Sequence, residues 1–470
     1  MAALAAESRI YTMTRLRRSR SSSKTAFFLI FFLVLAGSGA ALFYLFFEGE
    51  KPQLVLESPQ NYLGQNSTIS VNSADAKSGL RQIRVKVIQG DLVKELYYEE
   101  FPRTGFTGMI GLQEKLVKIP FSPEESGFKD GAAQLVLEAR DYSFRGFLRG
   151  NRTTIIEDLT IDTTPPKISI LHSEQYIYPG GSGIAIYRAS DPGITSGVLI
   201  NDTFHPGFPV GDGRDDTYIC YFALPYFALN IDASFVVASD QAGNETKLPF
   251  SVVYKKQQFR QDQINVSDGF LDSKIPEFMH HYPQMSGTMV EKYLFTNNEV
   301  RDENNKRISD LCRSPHPERL WEARFHRMAG STRAGFADHR TYYYQNNPID
   351  KQVHLGIDLA STRKAEVVAA ERGIVIFADY LGIYGNMVML DHGQGVFSLY
   401  SHLSEIKVAV QDKVDKMSVI GLTGTTGMAG GDHLHFSVLI NGVFVTPKEW
   451  WDQHWIDVTI EDPLTESRFH

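Results

Sequence analysis

The chain has 470 residues, enough for three or so domains, with 43% hydrophobic and 22% charged residues and no extended low-complexity tract. Its formal net charge of −8 argues against nucleic acid as a partner. It also rules out bulk attraction to any anionic polymer, so recognition of such a partner must be local.

Residues 1–24 form a basic tail carrying Arg15, Arg17, Arg18, Arg20 and Lys24. From Thr25 to Phe47 run 23 residues without a charge, enough to cross a hydrocarbon core of about 30 Å. Glu48 and Glu50 follow. The positive-inside rule predicts a single-pass inner-membrane anchor over 25–47, with the tail cytoplasmic and everything from about residue 48 periplasmic. A cleaved signal peptide is the competing reading. Small residues from Ala36 to Ala41 imitate a cleavage site, but the apolar run resumes over Leu42–Phe47, which favours an uncleaved anchor.

Two β-sandwich modules are predicted next, over 51–163 and 164–256. The signal is an internal repeat. Ala74-Asp75 followed by Ser78-Gly79-Leu80 is echoed by Ser190-Asp191 followed by Ser196-Gly197-Val198, and Leu135–Asp141 is echoed by Phe235–Asp240. Ile83, Val85 and Val87 alternate with Arg84 and Lys86 as in a half-buried strand. The run Asp162-Thr163-Thr164-Pro165-Pro166 marks the boundary, because its prolines force extended backbone. Both segments resemble bacterial immunoglobulin-like modules, which implies spacing or packing against a neighbouring domain. Over 257–324 the alternation fades, and Ser286–Asn298 and Glu318–Arg327 fit helical periodicity, predicting a mostly helical connector. Cys220 and Cys312 fall in different predicted domains, so no disulfide is indicated.

The segment 325–460 carries the chemistry. It reads His354-Leu355-Gly356-Ile357-Asp358, then Tyr400-Ser401-His402-Leu403, then His433-Leu434-His435-Phe436. Side chains alternate faces along a strand, so His354, Gly356 and Asp358 are expected on one face and Leu355, Ile357 and Leu359 on the other. The same parity groups His433 with His435. Imidazole and carboxylate suit zinc, and a catalytic site keeps three protein ligands and an open position. His354, Asp358 and His435 are assigned as those ligands to one Zn2+. His402 and His433 remain as the catalytic pair, a neutral imidazole taking a proton from water and a protonated one donating to an oxyanion. The reaction implied is amide hydrolysis.

Other features have plainer explanations. His392 sits in Asp391-His392-Gly393-Gln394-Gly395, which reads as a hairpin turn. His280, His281 and His339 have no ligand-like company. The glycines from Gly421 to Gly431 lack the Gly-Lys-Ser/Thr ending of a phosphate loop and read as tight turns. No His-Glu-x-x-His helix or Gly-x-Ser-x-Gly elbow occurs.

From about Phe325 to Trp455 the chain resembles the lysostaphin-type, or LytM-like, zinc metallopeptidases of bacterial cell walls. The resemblance rests on the His-x-x-x-Asp pair, the distal His-Leu-His and the intervening Tyr-x-His-Leu. It extends to Gly335-Phe336, Arg340, Gly373-Ile374-Val375, Tyr384-Gly385-Asn386, Asp391-His392-Gly393, Gly421–Gly427, Gly431–Phe436 and Pro447–Trp451. It implies an antiparallel β-rich domain with a groove across the zinc and a substrate in the peptide part of peptidoglycan. By position it makes His354, Asp358 and His435 the ligands, and His402 and His433 catalytic. Tyr384 and Asn386 are the candidate groove contacts. The family usually has glycine where this chain has Gln411 and Met417, so a reshaped hairpin is expected there.

The chain is thus expected to be mainly β: a LytM-like domain, two sandwiches, a partly helical connector and one transmembrane helix. Its expected role is that of an anchored zinc endopeptidase that cuts peptidoglycan cross-links or stems. A single anchor without a visible wall-sorting tail points to a Gram-negative periplasm. Two alternatives stand beside it, a non-enzymatic activator of cell-wall amidases and a peptidase for an envelope protein. The connector or second sandwich is a candidate autoinhibitory cover over the groove.

Overall fold

The computed structural model describes residues 22–57, 61–105, 110–173, 176–190, 193–211 and 213–469. Most of the basic tail, including Arg15, Arg17, Arg18 and Arg20, lies outside the described residues, as does Asp191 of the repeat. The protein is mainly β, and two compact units part between Thr163 and Thr164.

The first unit opens with the helix Ser22–Phe46, within which Lys24–Tyr44 is long and apolar enough to cross a membrane. A sandwich of two sheets follows. One joins Gln53–Leu56, Ser67–Ala74 and Glu114–Phe121; the other joins Tyr62–Leu63, Arg152–Ile161, Gly131–Asp141, Leu80–Gln89 and Leu92–Glu100. Alternation dictates the core: Ile83, Val85 and Val87 are fully buried against Ile69, Val71, Val117 and Leu137, while Arg84 and Lys86 lie outward.

The second unit begins with a sandwich of the same topology. Ile168–Ser173, Ser182–Ala189 and Thr217–Ala223 repeat the order of the first three-stranded sheet. Thr203–Pro206, Thr195–Ile200, Ser234–Ser239 and Glu245–Pro249 repeat four strands of the other. The repeat reaches individual side chains. Asn151 donates from N and Nδ2 to Asp141 at 2.6 and 2.8 Å, and Asn244 does the same to Asp240 at 2.9 and 2.9 Å. Thr153 and Thr246 donate to the carbonyls of Pro52 and Pro166. The two sandwiches differ in what covers them. In the second, the run Ile184-Ala185-Ile186-Tyr187 is buried on both strand faces. Ile184, Ile186 and Tyr221 join Trp321, Phe325 and Trp450 of the C-terminal region in one core.

The connector is part of that unit too. Gln261–Asn265 pairs in parallel with His339–Tyr344, which pairs with Asn347–Val353. Helices Asp268–His281, Met289–Phe295 and Arg301–Leu311 follow, the second opened by a Thr288/Glu291 capping box and joined to the third by a π turn at Thr296–Val300. The helix expected over Glu318–Arg327 is absent. Trp321 and Phe325 have helical spacing and are buried, but Pro315 and Pro317 precede them, and the backbone spends its donors elsewhere. Leu320 N donates to His392 O, Phe325 N to Trp450 O and His326 N to Ala370 O.

The C-terminal domain is a large antiparallel sheet. Its main path runs Ser331–Ala334, Ile357–Ala360, Leu434–Ile440, Val396–Ile406, Gly385–Asp391, Gly373–Leu381 and Lys413–Val414. Cys220 and Cys312 are free and buried. Gln411 and Met417 hold left-handed backbone at φ 77° and 71°, so the turns keep a conformation that favours glycine without having it.

Candidate active site

His354 and Asp358 do not share one strand. Asn347–Val353 ends before His354, and Ile357–Ala360 begins in a different sheet, so the chain turns between them. Gly356 makes the turn workable: a Cβ there would lie 2.6 Å from the His435 ring and from Ser437 Oγ. Cross-strand pairing then sets Asp358 directly opposite His435.

Three donor atoms converge. His354 Nε2 lies 2.9 Å from Asp358 Oδ1 and 2.9 Å from His435 Nδ1, and His435 Nδ1 lies 3.0 Å from Asp358 Oδ1. The outer nitrogens fix the tautomers. His354 Nδ1 donates to Gly335 O at 2.8 Å, and His435 Nε2 donates to Ser437 Oγ at 3.1 Å, whose own hydroxyl donates to Leu355 O. Both inner imidazole nitrogens are therefore lone pairs pointing at each other and at a carboxylate. Lone pairs crowded in this way repel unless a cation lies among them, and two nitrogens with one oxygen is the donor set of a metal site. Burial alone would raise the Asp358 carboxyl, but the surrounding histidines hold it well below the usual range. Burial lowers His435 to about 4, leaving it neutral and able to ligate.

His402 and His433 stand beside this cluster, their rings 4.8 Å apart. Each spends Nδ1 on a carbonyl, His402 on Thr426 O and His433 on Gly431 O, both at 2.8 Å. That leaves both Nε2 atoms for the site, and His433 Nε2 reaches to 3.5 Å from Asp358. Ser401, not His402, is the cross-strand partner of His435, so a regular strand would turn His402 away. Its left-handed backbone, φ 62°, breaks the alternation and brings its ring 5.8 Å from that of His435. Burial and the two neighbouring histidines hold His402 well below the ordinary imidazole range. For His433 burial pulls downward, and the hydrogen bond and charge of Asp358 outweigh it, raising the pKa.

A cavity of about 330 Å³ opens on these side chains. Tyr384 lines it, its ring 5.7 Å from that of His435 and its hydroxyl donating to Asn305. Asn386, the other expected groove contact, does not line it. Its Nδ2 donates to Leu403 O and its N–H to Thr426 Oγ1, which makes it a brace for the neighbouring loop. The connector supplies walls that the motif did not indicate: Ile264–Val266, Phe270, Tyr293 and Arg301. Arg340, flagged only by its place in the motif, donates to Asp358 Oδ2 at 3.3 Å. Ser437 was also missed, although its spacing of two from His435 on one strand face was a usable signal. His392 is fully buried between Arg372 O and Ser398 Oγ, a structural histidine.

An antiparallel sheet presents two imidazole nitrogens and a carboxylate to a cavity, with two further imidazoles at its side, and this is a donor set that could hold a metal ion. Residues 352–447, within the C-terminal domain, match Peptidase family M23. The chain is 42% identical over 106 residues to the DD-carboxypeptidase/endopeptidase Mpg of Neisseria meningitidis, covering 22% of this chain and 24% of that protein. It is 35% identical over 95 residues to the murein hydrolase activator EnvC of Escherichia coli, covering 20% and 23%. The chain thus spans about a quarter of the length of these relatives. A solved peptidase M23 from Pseudomonas aeruginosa aligns over 58% of this chain and 94% of its own, at 20% identity and a TM-score of 0.37.

Proposed function

We propose that this protein is a membrane-anchored zinc metalloendopeptidase that hydrolyses amide bonds in the cross-links or stems of peptidoglycan, acting in the periplasm during wall remodelling. The observation that carries this reading is the convergence of unprotonated His354 Nε2 and His435 Nδ1 on Asp358, with two spare imidazoles whose Nε2 atoms face the same cavity. His354, Asp358 and His435 would hold Zn2+ by two nitrogens and one oxygen, a donor set that suits that ion. When bound, the ion supplies Lewis acidity toward the amide carbonyl and lowers the pKa of water. His402, held neutral by burial, takes the proton of the attacking water at Nε2. His433, with its raised pKa, donates from Nε2 to the oxyanion that forms and then passes that proton to the departing amine. Thr426 O and Gly431 O keep both rings in the tautomers these roles need.

The names of the relatives support a wall substrate. The periplasmic placement rests on the helix Ser22–Phe46 and the basic tail before it. The connector enters this reading as a wall of the cavity. A latency role for it, or for the second sandwich, has no support beyond its position before the catalytic domain. An activator function is the second reading, favoured by the likeness to EnvC; the complete ligand set speaks against it.

The test is mass spectrometry of fragments released from purified peptidoglycan by the detergent-solubilised full chain. Fragments that appear with zinc, and vanish with a chelator or with His435→Ala, support the hydrolase and identify the bond. Release by neither protein, together with stimulation of an added amidase, would establish the activator reading instead.

A further inference from the structure

The wall that the connector gives to the cavity carries a cation without an ion pair among the described residues. Arg301 opens the helix Arg301–Leu311. Its Nε donates to Asn297 O at 3.0 Å and its Nη2 to Asn297 Oδ1, while Asn297 is itself held by Asp350 at 2.6 Å. Among the described residues Nη1 makes no hydrogen bond and no carboxylate lies within ion-pair distance of Arg301, Asp350 being bonded to Asn297 instead. The other cation of the cavity, Arg340, is engaged by Asp358, and Asp358 is the one acid among the described lining residues. Phe270, Tyr293, Tyr342 and Tyr384 line the same cavity, and Arg301 lies close enough to Tyr293 and Tyr384 for its charge to act on both phenols.

A half-buried guanidinium among aromatic rings, fixed at two nitrogens and open at the third, lacks the acceptor that would offset its desolvation. A carboxylate is the ligand whose charge and planar oxygens match it best. We propose that Arg301 forms an anion subsite of the active-site cavity, which holds a free carboxylate of the peptide substrate beside the amide being cut. The proposal deepens the peptidase reading and rests on it only for the ligand being a peptide. The carboxylate has two sources, the C-terminus of a peptide or an acidic side chain within it. In either case a peptide lacking it leaves the guanidinium desolvated and unpaired, so selectivity comes as much from rejecting the neutral analogue as from attracting the acid.

Binding should be measured separately from turnover, with full-chain His433→Ala in detergent and calorimetric titration of one tetrapeptide in three forms. One form has both its C-terminal and side-chain carboxylates free, the second is amidated at the C-terminus, and the third is amidated at the side chain. The expected result is a loss of about tenfold or more in affinity for one of the two amidated forms, which identifies the source. That loss should shrink to within about twofold in the His433→Ala/Arg301→Gln protein. Arg301→Lys, which keeps the charge, should show an intermediate preference. Equal affinity for all three forms, or a preference that survives Arg301→Gln, overturns the subsite. Hydrolysis of the same peptides by the wild type is the second readout. Selective binding without zinc-dependent cleavage would unseat the peptidase reading and leave the subsite standing; cleavage without selective binding would do the reverse.

Discussion

Ser437 stands directly behind His435, one of the three proposed zinc ligands. Its hydroxyl accepts from His435 Nε2 and donates to Leu355 O, so it fixes both the tautomer and the tilt of that ring. Outer partners of this kind commonly account for 10–100-fold in metal affinity. Ser437→Ala is therefore expected to weaken zinc by about 10–100-fold in competition with a chromophoric chelator, while the fold survives because the position is small and the neighbouring ladder is intact. Gln411 and Met417 make the opposite case, residues tolerated against local preference. Left-handed backbone costs a non-glycine residue about 1–2 kcal/mol, and glycine gives back about 0.5–1 of that as unfolded-state entropy. Gln411→Gly and Met417→Gly should each stabilise by about 0.5–1 kcal/mol, seen as a higher unfolding midpoint with hydrolysis unchanged. The main chain anchors both turns in this conformation. Gln411 N donates to Val375 O at 2.8 Å and Met417 N to Ala369 O at 3.0 Å.

The helix Asp268–His281 braces the loop Thr425–Gly427 beside His402. Lys274 Nζ donates to Thr425 O, and Glu277 Oε1 accepts from Gly427 N at 2.7 Å. Between them Thr426 offers its carbonyl to His402 and its hydroxyl to Leu403 O. A ring held in left-handed backbone needs such support, because its strained conformation persists only where its surroundings over-determine it. Lys274→Met and Glu277→Gln should each lower kcat by about tenfold with zinc affinity unchanged, since the ligands lie on other segments. Equal losses in kcat and zinc affinity would mean that the whole domain had loosened. Nothing in the sequence announced this brace. Lys274 and Glu277 look like ordinary charged helix residues, and only the fold reveals that Lys274 is buried against the loop. The candidate metal-binding cluster of His354, Asp358 and His435 was legible for the opposite reason, since metal chemistry restricts residue type whatever the backbone does. The strand through His354 to Asp358 was misread even so. Period-two alternation describes such a run as well as a turn does, and the clue to the turn is the close approach of His435 to Gly356, a contact 79 residues away in sequence.

At the scale of the whole molecule, the second sandwich is fused to the catalytic domain. The run Ile184–Tyr187 signals a strand buried on both faces, but the sequence does not say what covers the second face; the answer is Trp321, Phe325 and Trp450. Polar contacts lock the seam. Glu449 accepts from Ser182 N and Oγ at 2.9 Å, Trp450 Nε1 donates to Ser182 Oγ at 3.1 Å, and Asn441 Nδ2 donates to Tyr221 O at 2.9 Å. His205 is sealed into the same seam, fully buried beside Asn441 and Ala223, and burial lowers its pKa to about 4. The unfolded chain takes up this proton near pH 6.5 and the folded chain only near 4. The neutral form therefore stabilises the fold fully above pH 6.5, and that contribution is lost as the pH falls from 6.5 toward 4. The loss amounts to about 3 kcal/mol. Because the sandwich and the catalytic sheet share one core, it should appear as one cooperative transition of residues 164–470 rather than as release of the sandwich alone. Thermal unfolding of the full chain between pH 7 and pH 4.5, followed by tryptophan fluorescence, measures it: Trp321 and Trp450 are both in the seam. The midpoint should fall with pH, and His205→Gln should lower it at pH 7 while flattening its pH dependence. An unchanged slope in that variant would move the acid sensitivity to the C-terminal domain, where His392 is fully buried and burial likewise lowers its pKa to about 4.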